Sequence, residues 1–132
     1  VLFRSEKRSS GRRKGNGIDS MKQTKEECVI TAAMNIILHA GNARNILRDA
    51  GKCIAEGKNL DAIAQQLEEA RGSILLAHKA QTDILHEEAE GKHIEVTVLF
   101  SHAQDTLMTT QSELFFVETL YELEMNRRKQ TL

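Results

Sequence analysis

Residues 60–89, LDAIAQQLEEARGSILLAHKAQTDILHEEA, decide the fold. Apolar residues return there at intervals of three and four, which places them along one stripe of a helix. Asn59 or Asp61 is suited to cap the start of this helix, and Gly91 is suited to end it. The pattern predicts a long helix with a stripe that other helices must cover: Ile63, Ala64, Leu67, Ala70, Ile74, Ala77, Gln81 and Ile84.

The preceding segment repeats this spacing. Thr24 and Glu27 stand in the T-x-x-E arrangement of a capping box, so we expect the first helix to begin near Thr24. It should end near Gly57. Gly41 interrupts the apolar pattern at a cost of about 1 kcal/mol relative to alanine, which suggests a close helix contact at that position. The predicted stripe is Val29, Ala32, Ala33, Ile36, Ile37, Ala40, Ala43, Ile46, Leu47 and Ala50.

The third segment is ambiguous at its start. Residues 93–98, HIEVTV, alternate and are β-branched, which by itself is typical of a strand. A single strand would have no partner in this chain, and the residues that follow have a helical period. We therefore expect a third helix from about Ile94 to Asn126. Three long helices with short connections predict an all-α fold, an antiparallel three-helix up-down-up bundle.

Charge divides the chain into two parts. Residues 1–20 carry six basic and two acidic side chains, while the remainder carries a net charge of −5. We expect residues 1–20 to be a disordered basic segment, or an artificial extension before a natural start at Met21, and residues 21–132 to form the folded domain. An acidic body does not favour binding to nucleic acid or to an anionic membrane.

The chain also lacks the marks of several protein classes. No apolar run approaches the ~18 residues that would span a bilayer, so direct membrane insertion is not expected. Cys28 and Cys53 stand alone, without the neighbouring Cys and His residues of a zinc motif. We interpret both as small buried hydrophobic residues of a protein in the reducing cytoplasm.

One histidine, His102, lies on a polar stripe of the third helix. Neutral imidazole is a good nucleophile near pH 7 and can carry a phosphoryl group on nitrogen. Gln104 and Thr106 are candidate donors to the phosphoryl oxygens, and Asp105 could hold the ring or bind a cation. Spacing alone leaves a structural His102–Asp105 ion pair as an open alternative. The stripe comprises Val98, His102, Asp105, Thr109, Ser112 and Phe116.

Several runs together resemble one family, the lactose/cellobiose-specific enzyme IIA proteins of the bacterial phosphotransferase system. The likeness extends over roughly residues 25–110, in the same order and spacing. The residues after 110, ELFFVE at 113–118, look less typical of it. The runs that carry the resemblance are LHAGNAR at 38–44, AHKAQT at 77–82, EAEG at 88–91 and SHAQDTLM at 101–108.

The resemblance implies a cytoplasmic phosphotransferase component that works as a homotrimer, a nine-helix bundle. In that family the histidine at His102 accepts a phosphoryl group from phospho-HPr. The group then passes to a cysteine of enzyme IIB, and membrane-embedded enzyme IIC delivers it to the incoming sugar. The residue at Gln104 approaches the histidine of a neighbouring subunit, and the residue at Asp105 meets its copies at the three-fold axis around a divalent cation, often Mg²⁺.

One position departs from the family pattern, which commonly reads HAQDH where this chain has Thr106 after Asp105. The rate of phosphoryl transfer would differ if that second histidine tunes the phosphohistidine. Two other functions stay open at this point: a helical adaptor or regulatory bundle without the chemistry, and a nucleic-acid-binding bundle led by the basic residues 1–20. The sugar is of the lactose, cellobiose or chitobiose type and is not identified by the sequence.

Overall fold

The computed structural model describes the backbone of residues 17–131 and the side chains of residues 25–131. It consists of α1 (Gly17–Ala55), α2 (Leu60–Ala89) and α3 (Val98–Gln130). Short connections make successive helices antiparallel, and α1 packs against both of the others. The predicted up-down-up bundle is confirmed, and the described residues contain no β-strand.

Small side chains dominate the centre of the bundle. Seven alanines on the three helices are completely buried, and larger residues such as Ile36, Leu67 and Leu107 fill the space between them. Small residues let helix axes approach closely, so the alanine positions set how tightly the bundle packs. The seven alanines are Ala33, Ala40, Ala43, Ala50, Ala70, Ala77 and Ala103.

The connection between α1 and α2 follows its local sequence signals. Gly57 adopts φ +70°, a left-handed conformation that favours glycine, just after α1 ends. The Asn59 side chain then accepts hydrogen bonds from the backbone N–H groups of Asp61 and Ala62 at 2.8 and 3.3 Å, which caps α2. Both ends of α2 therefore lie where the sequence predicts them.

The first helix is longer than expected. It begins at Gly17, so Thr24 lies inside the helix and does not cap it. The sequence from residue 17 to 24 has no proline, and extending an existing helix adds one hydrogen bond for each residue that is ordered. Of the segment predicted to be disordered, residues 1–16 lie outside the described part of the chain, and residues 17–20 belong to α1.

The third helix begins later than predicted, at Val98 rather than Ile94. Gly91, with φ +89°, ends the turn after α2, and residues 92–97 are neither helix nor strand. Thr97 is extended, and its hydroxyl accepts a hydrogen bond from the N–H of Phe100 at 3.0 Å. This cap fixes the helix start, while Ile94 is buried in the core from the extended segment.

Two smaller expectations are wrong. A Cβ atom on Gly41 would meet nothing within 4 Å among the described residues, so this glycine makes no close helix contact with them. Cys28 is exposed, because it lies in the groove between α1 and α2 rather than under α3. Cys53 is only partly buried, and both residues are free thiols.

Candidate functional site

His102 lies on the second turn of α3 and is exposed to solvent. Its helix is fixed in place by two buried neighbours, because Phe100 and Ala103 point into the core. The Thr97 cap holds the preceding turn. The imidazole therefore projects from a rigid element onto an open surface, where another protein can reach it.

The three predicted site residues leave α3 in different directions. A helix turns about 100° for each residue, so Asp105 points almost opposite to the buried Ala103. Relative to Asp105, His102 is rotated by about 60° to one side and Gln104 by about 100° to the other. Asp105 is exposed and Gln104 is partly buried. One chain thus carries the three residues on one turn without bringing them into a common cluster.

The predicted stripe lies on one face of α3, whereas the structural ion pair is not found. All six residues of the stripe are exposed, and Leu107 on the neighbouring stripe is buried. Between residues 25 and 131, no hydrogen bond or ion pair joins His102 to Asp105. His102 is therefore not held as a structural partner of Asp105 in the single chain.

The hydroxyl of Thr106 has a different role from the one expected. It donates a hydrogen bond to the backbone carbonyl of His102 at 2.8 Å and is not directed at the imidazole. Thr109 and Thr110 donate in the same way to carbonyls four residues earlier, those of Asp105 at 2.9 Å and Thr106 at 2.7 Å. Such bonds supplement the helix and favour slight bending, here directly beneath the site.

Arg44 of α1 forms hydrogen bonds with this region of α3. It was not among the site residues predicted from the sequence. Its Nε donates to Glu113 Oε2 at 3.0 Å and its Nη2 donates to Thr109 Oγ1 at 2.7 Å. Since residues 102, 109 and 113 share one side of a helix, His102 lies on the side of α3 that faces α1. Arg44 belongs to the LHAGNAR run, which was the only sequence signal for it.

A second arginine bridges the opposite side of α3. Arg71 of α2 donates to Glu118 Oε1 at 2.6 Å and to Glu68 Oε2 at 2.8 Å. The hydrogen bond to Glu118, ahead of that to Glu68, raises the pKa of the Arg71 guanidinium above its ordinary value. The two arginines fix the rotation of α3, so the outward direction of Asp105 is determined by contacts on both sides.

Large apolar side chains are also exposed around the site. On α3 they lie on the same face of the helix as Asp105, and on α1 a second group lies on the side of the helix that faces α3. Apolar side chains clustered on one exposed face mark protein–protein contact surfaces more often than free surface. On α3 these are Val98, Met108, Phe115, Phe116 and Leu123, and on α1 they are Ile30 and Met34, all at least about half exposed.

The remaining histidines do not form an alternative site. His86 and His93 are exposed, as expected, and so is His78, while His39 is half-buried. Within residues 25–131, no group of three His, Cys, Asp or Glu side chains could hold a metal ion. None of the described helices is long and apolar enough to cross a membrane.

Comparison with known proteins identifies the family. The family model of the lactose/cellobiose-specific IIA subunit of the phosphotransferase system matches residues 31–125, which extends past the predicted limit of the resemblance near residue 110. A lactose-specific EIIA component from Lacticaseibacillus casei is 37% identical over 108 residues, covering 82% of this chain and 93% of the relative. A lichenan-specific phosphotransferase enzyme IIA component from Bacillus subtilis is 37% identical over 90 residues, covering 67% and 79%.

Two crystal structures have the same fold. PtcA from S. mutans is 41% identical with a TM-score of 0.69, over 72% of this chain and 92% of that one. The cellobiose-specific enzyme IIA from Bacillus anthracis is 28% identical with a TM-score of 0.70, over 75% and 90%. The family match, the related sequences and the three-helix fold agree, and the chain therefore belongs to the lactose/cellobiose-specific IIA family of the phosphotransferase system.

Proposed function

We propose that this chain is a phosphocarrier that accepts a phosphoryl group on His102 from phospho-HPr and passes it to the cysteine of enzyme IIB. The observation that carries the proposal is the exposure of His102 on a rigid turn of α3 in a chain of the IIA family. A carrier must meet a donor and an acceptor in turn, and an exposed imidazole on a fixed helix suits both encounters.

Each transfer exchanges one bond to phosphorus for another. A neutral imidazole nitrogen of His102 attacks the phosphorus of the donor's phosphohistidine, the donor's P–N bond breaks, and the donor imidazole leaves with that electron pair and takes up a proton. In the second step the thiolate of enzyme IIB attacks the phosphorus, a P–S bond forms, and the P–N bond to His102 breaks. The His102 imidazole leaves with that electron pair and takes up a proton. His102 must be neutral at the start, because an imidazolium has no free electron pair.

A homotrimer with the three α3 helices innermost would assemble the complete site. Asp105 would then point towards the three-fold axis, and His102 of one chain would face the Gln104 side of the next, since these residues are rotated in opposite directions from Asp105. The exposed Met108, Phe115 and Phe116 would be covered in the same interface. The resulting nine-helix bundle agrees with the directions in which the single chain presents its residues.

A divalent cation, Mg²⁺ by preference, would be held on this axis by Asp105. Each carboxylate is exposed and has no hydrogen-bond or ion-pair partner among the described side chains, so it is free to bind a cation. Three carboxylates around one axis repel one another unless a cation lies between them, and a hard ion prefers oxygen ligands. The cation would supply charge neutralisation at the axis.

The metal assignment is tested with Asp105→Leu. We expect this variant to remain trimeric by analytical ultracentrifugation and to lose the metal, measured as metal per trimer by mass spectrometry. Asp83→Leu, which changes an exposed carboxylate on α2, is the matched control and should retain the metal. Undiminished metal in Asp105→Leu would show the assignment to be wrong.

Phosphorylation is tested with enzyme I, HPr and phosphoenolpyruvate, followed by mass mapping of the modified residue. We expect one labelled histidine at His102, no label in His102→Ala, and normal labelling in His78→Ala, which changes another exposed histidine. A folded wild-type chain that binds its partners but takes no label would instead support the alternative of a non-catalytic adaptor.

The transported sugar is proposed to be a disaccharide of the lactose, cellobiose or chitobiose type, reached through enzyme IIB and the membrane enzyme IIC. The names of related proteins include lactose, lichenan and cellobiose, so they support the class and not one sugar. A carrier that serves these partners is proposed to work in the cytoplasm. Competition between purified enzyme IIB proteins for the phosphoryl group would identify its pathway.

A further inference from the structure

Thr109 and Arg44 form a connection between α1 and the turn of α3 that carries His102, Gln104 and Asp105. Arg44 Nη2 donates to Thr109 Oγ1 at 2.7 Å, and the Thr109 hydroxyl proton is directed at the carbonyls of Asp105, 2.9 Å away, and Thr106, 3.1 Å away. Thr106 in turn donates to the carbonyl of His102 at 2.8 Å. These hydrogen bonds connect α1 through Thr109 to the backbone of Asp105 and Thr106, and the Thr106 residue in turn bonds to the backbone of His102.

Two observations distinguish Arg44 from an ordinary surface arginine. Its side chain is 26% exposed, and its planar group binds two acceptors at once, so it has lost much of its freedom. Thr109 lies seven residues beyond His102, about 10 Å further along α3, and the histidine side chain leans towards the other end of the helix. Arg44 is therefore remote from the imidazole and would act through Thr109.

We propose that Arg44 is a positioning residue for phosphoryl transfer, which it affects by fixing residues 102–106 of α3 against α1 through Thr109. The inference rests on the phosphocarrier function proposed above. The attacking nitrogen must line up with phosphorus and the departing bond, and a shift of about 1 Å in such a geometry can lower a rate up to 100-fold. Holding the turn from α1 reduces such shifts.

The chain offers a matched pair of variants. Thr109→Val and Thr119→Val each remove one hydroxyl that donates to the carbonyl four residues earlier. Among the described residues, Thr119 accepts no hydrogen bond from an arginine, and it lies further along α3. We expect Thr109→Val to lower kcat for phosphorylation roughly tenfold with KM for phospho-HPr unchanged. Thr119→Val should stay within about twofold of wild type.

Arginine variants test the same connection from the other helix. Arg44→Lys keeps the charge beside Glu113 but lacks the fork that binds two acceptors, so it should lower kcat as Thr109→Val does. Arg127→Lys is the control, because the Arg127 guanidinium also makes two hydrogen bonds, but only to Glu124 of its own helix near the end of α3. It should leave kcat within about twofold of wild type. Because Arg44 acts through Thr109, the double variant Arg44→Lys/Thr109→Val should lose no more activity than either single variant.

Amide hydrogen exchange provides a measurement that does not depend on transfer. We expect faster exchange at residues 103–109 in Thr109→Val, and no such change there in Thr119→Val.

Unchanged exchange, equal kcat in the two valine variants, or additive losses in the double variant would each overturn the inference. A rise in KM at constant kcat would also do so and would assign Arg44 to a docking surface. Failure of the wild-type chain to become labelled refutes the phosphocarrier function, while the exchange result still decides the positioning of the turn.

Discussion

Replacing Leu107 by alanine should weaken the bundle directly beneath the candidate site. Leu107 is 1% exposed and belongs to the central core with Ile36 and Leu67. It points to the side of α3 opposite Asp105, so it supports the turn without taking part in the exposed surface. Leu76 on α2 is the matched control, because it is 52% exposed.

The structure gives the size of the expected loss. Leu107→Ala removes three buried carbon groups at about 0.8 kcal/mol each, which amounts to about 2.4 kcal/mol. The remaining cavity adds to this, because neighbouring helices relax only in part, for a total of about 2.5–5 kcal/mol. For the half-exposed Leu76 the corresponding change is about 1 kcal/mol.

Urea unfolding followed by circular dichroism measures both variants. All samples must have the same protein concentration, because assembly of folded chains adds to their apparent stability. A loss of this size should also lower Tm by roughly 10–25 °C for a domain of about 100 residues. The packing described here is refuted if Leu107→Ala costs less than about 1 kcal/mol, or no more than Leu76→Ala.

Changes at four further positions should alter stability in stated directions. Asn59→Ala should cost about 1 kcal/mol in urea unfolding, whereas Asn59→Asp should keep the cap of α2. Gly72→Ala, in open space within α2, should stabilise the chain by about 1 kcal/mol, while Gly57→Ala, at φ +70°, should destabilise it by about 1–2 kcal/mol. Hydrogen bonds from Arg127 and then Arg128 lower the pKa of Glu124 from 4.5 to about 2. Since the folded pKa lies below the unfolded one, this contribution is present above about pH 4.5 and is lost as pH falls towards 2, a loss that Glu124→Gln should reduce in acid unfolding.

The fold was predictable where the signals are local. Asn59 and Gly91 bracket α2, and both act on adjacent backbone, so its bounds followed from the sequence. The start of α3 did not, because the apolar period includes Ile94, whereas the structure buries Ile94 from an extended segment and caps the helix at Thr97. The apolar period predicts which residues are buried, but it does not predict whether the backbone at those residues is helical.

The sequence predicted which residues share the stripe at the candidate site, but not the hydrogen bonds that hold this part of α3 in place. Residues on one helix face are fixed by spacing, so the stripe shared by His102 and Asp105 followed from the sequence, whereas its full exposure is seen only in the structure. The bond from Arg44 to Thr109 joins residues 65 positions apart and depends on how α1 and α3 are rotated against each other. No local sequence pattern predicts how these two helices are rotated. The role of Thr106 was missed because its hydroxyl bonds to its own helix instead of the site.

Mixing two impaired variants tests whether the site is completed by a neighbouring chain of the proposed homotrimer. His102 and Gln104 point to opposite sides of Asp105, so a single chain cannot bring them together without unwinding α3. In trimers assembled at random from equal amounts of His102→Ala and Gln104→Ala chains, about a quarter of the sites combine an intact His102 with an intact Gln104 from the next chain. We expect each variant alone to be impaired and the mixture, unfolded and reassembled together, to transfer phosphoryl groups at about a quarter of the wild-type rate.

Trimers of each variant that are mixed without reassembly are the control and should gain nothing. Absence of recovery in reassembled trimers would mean that Gln104 acts within its own chain or not at all, and the directions of these side chains on α3 would then have no part in assembling the site.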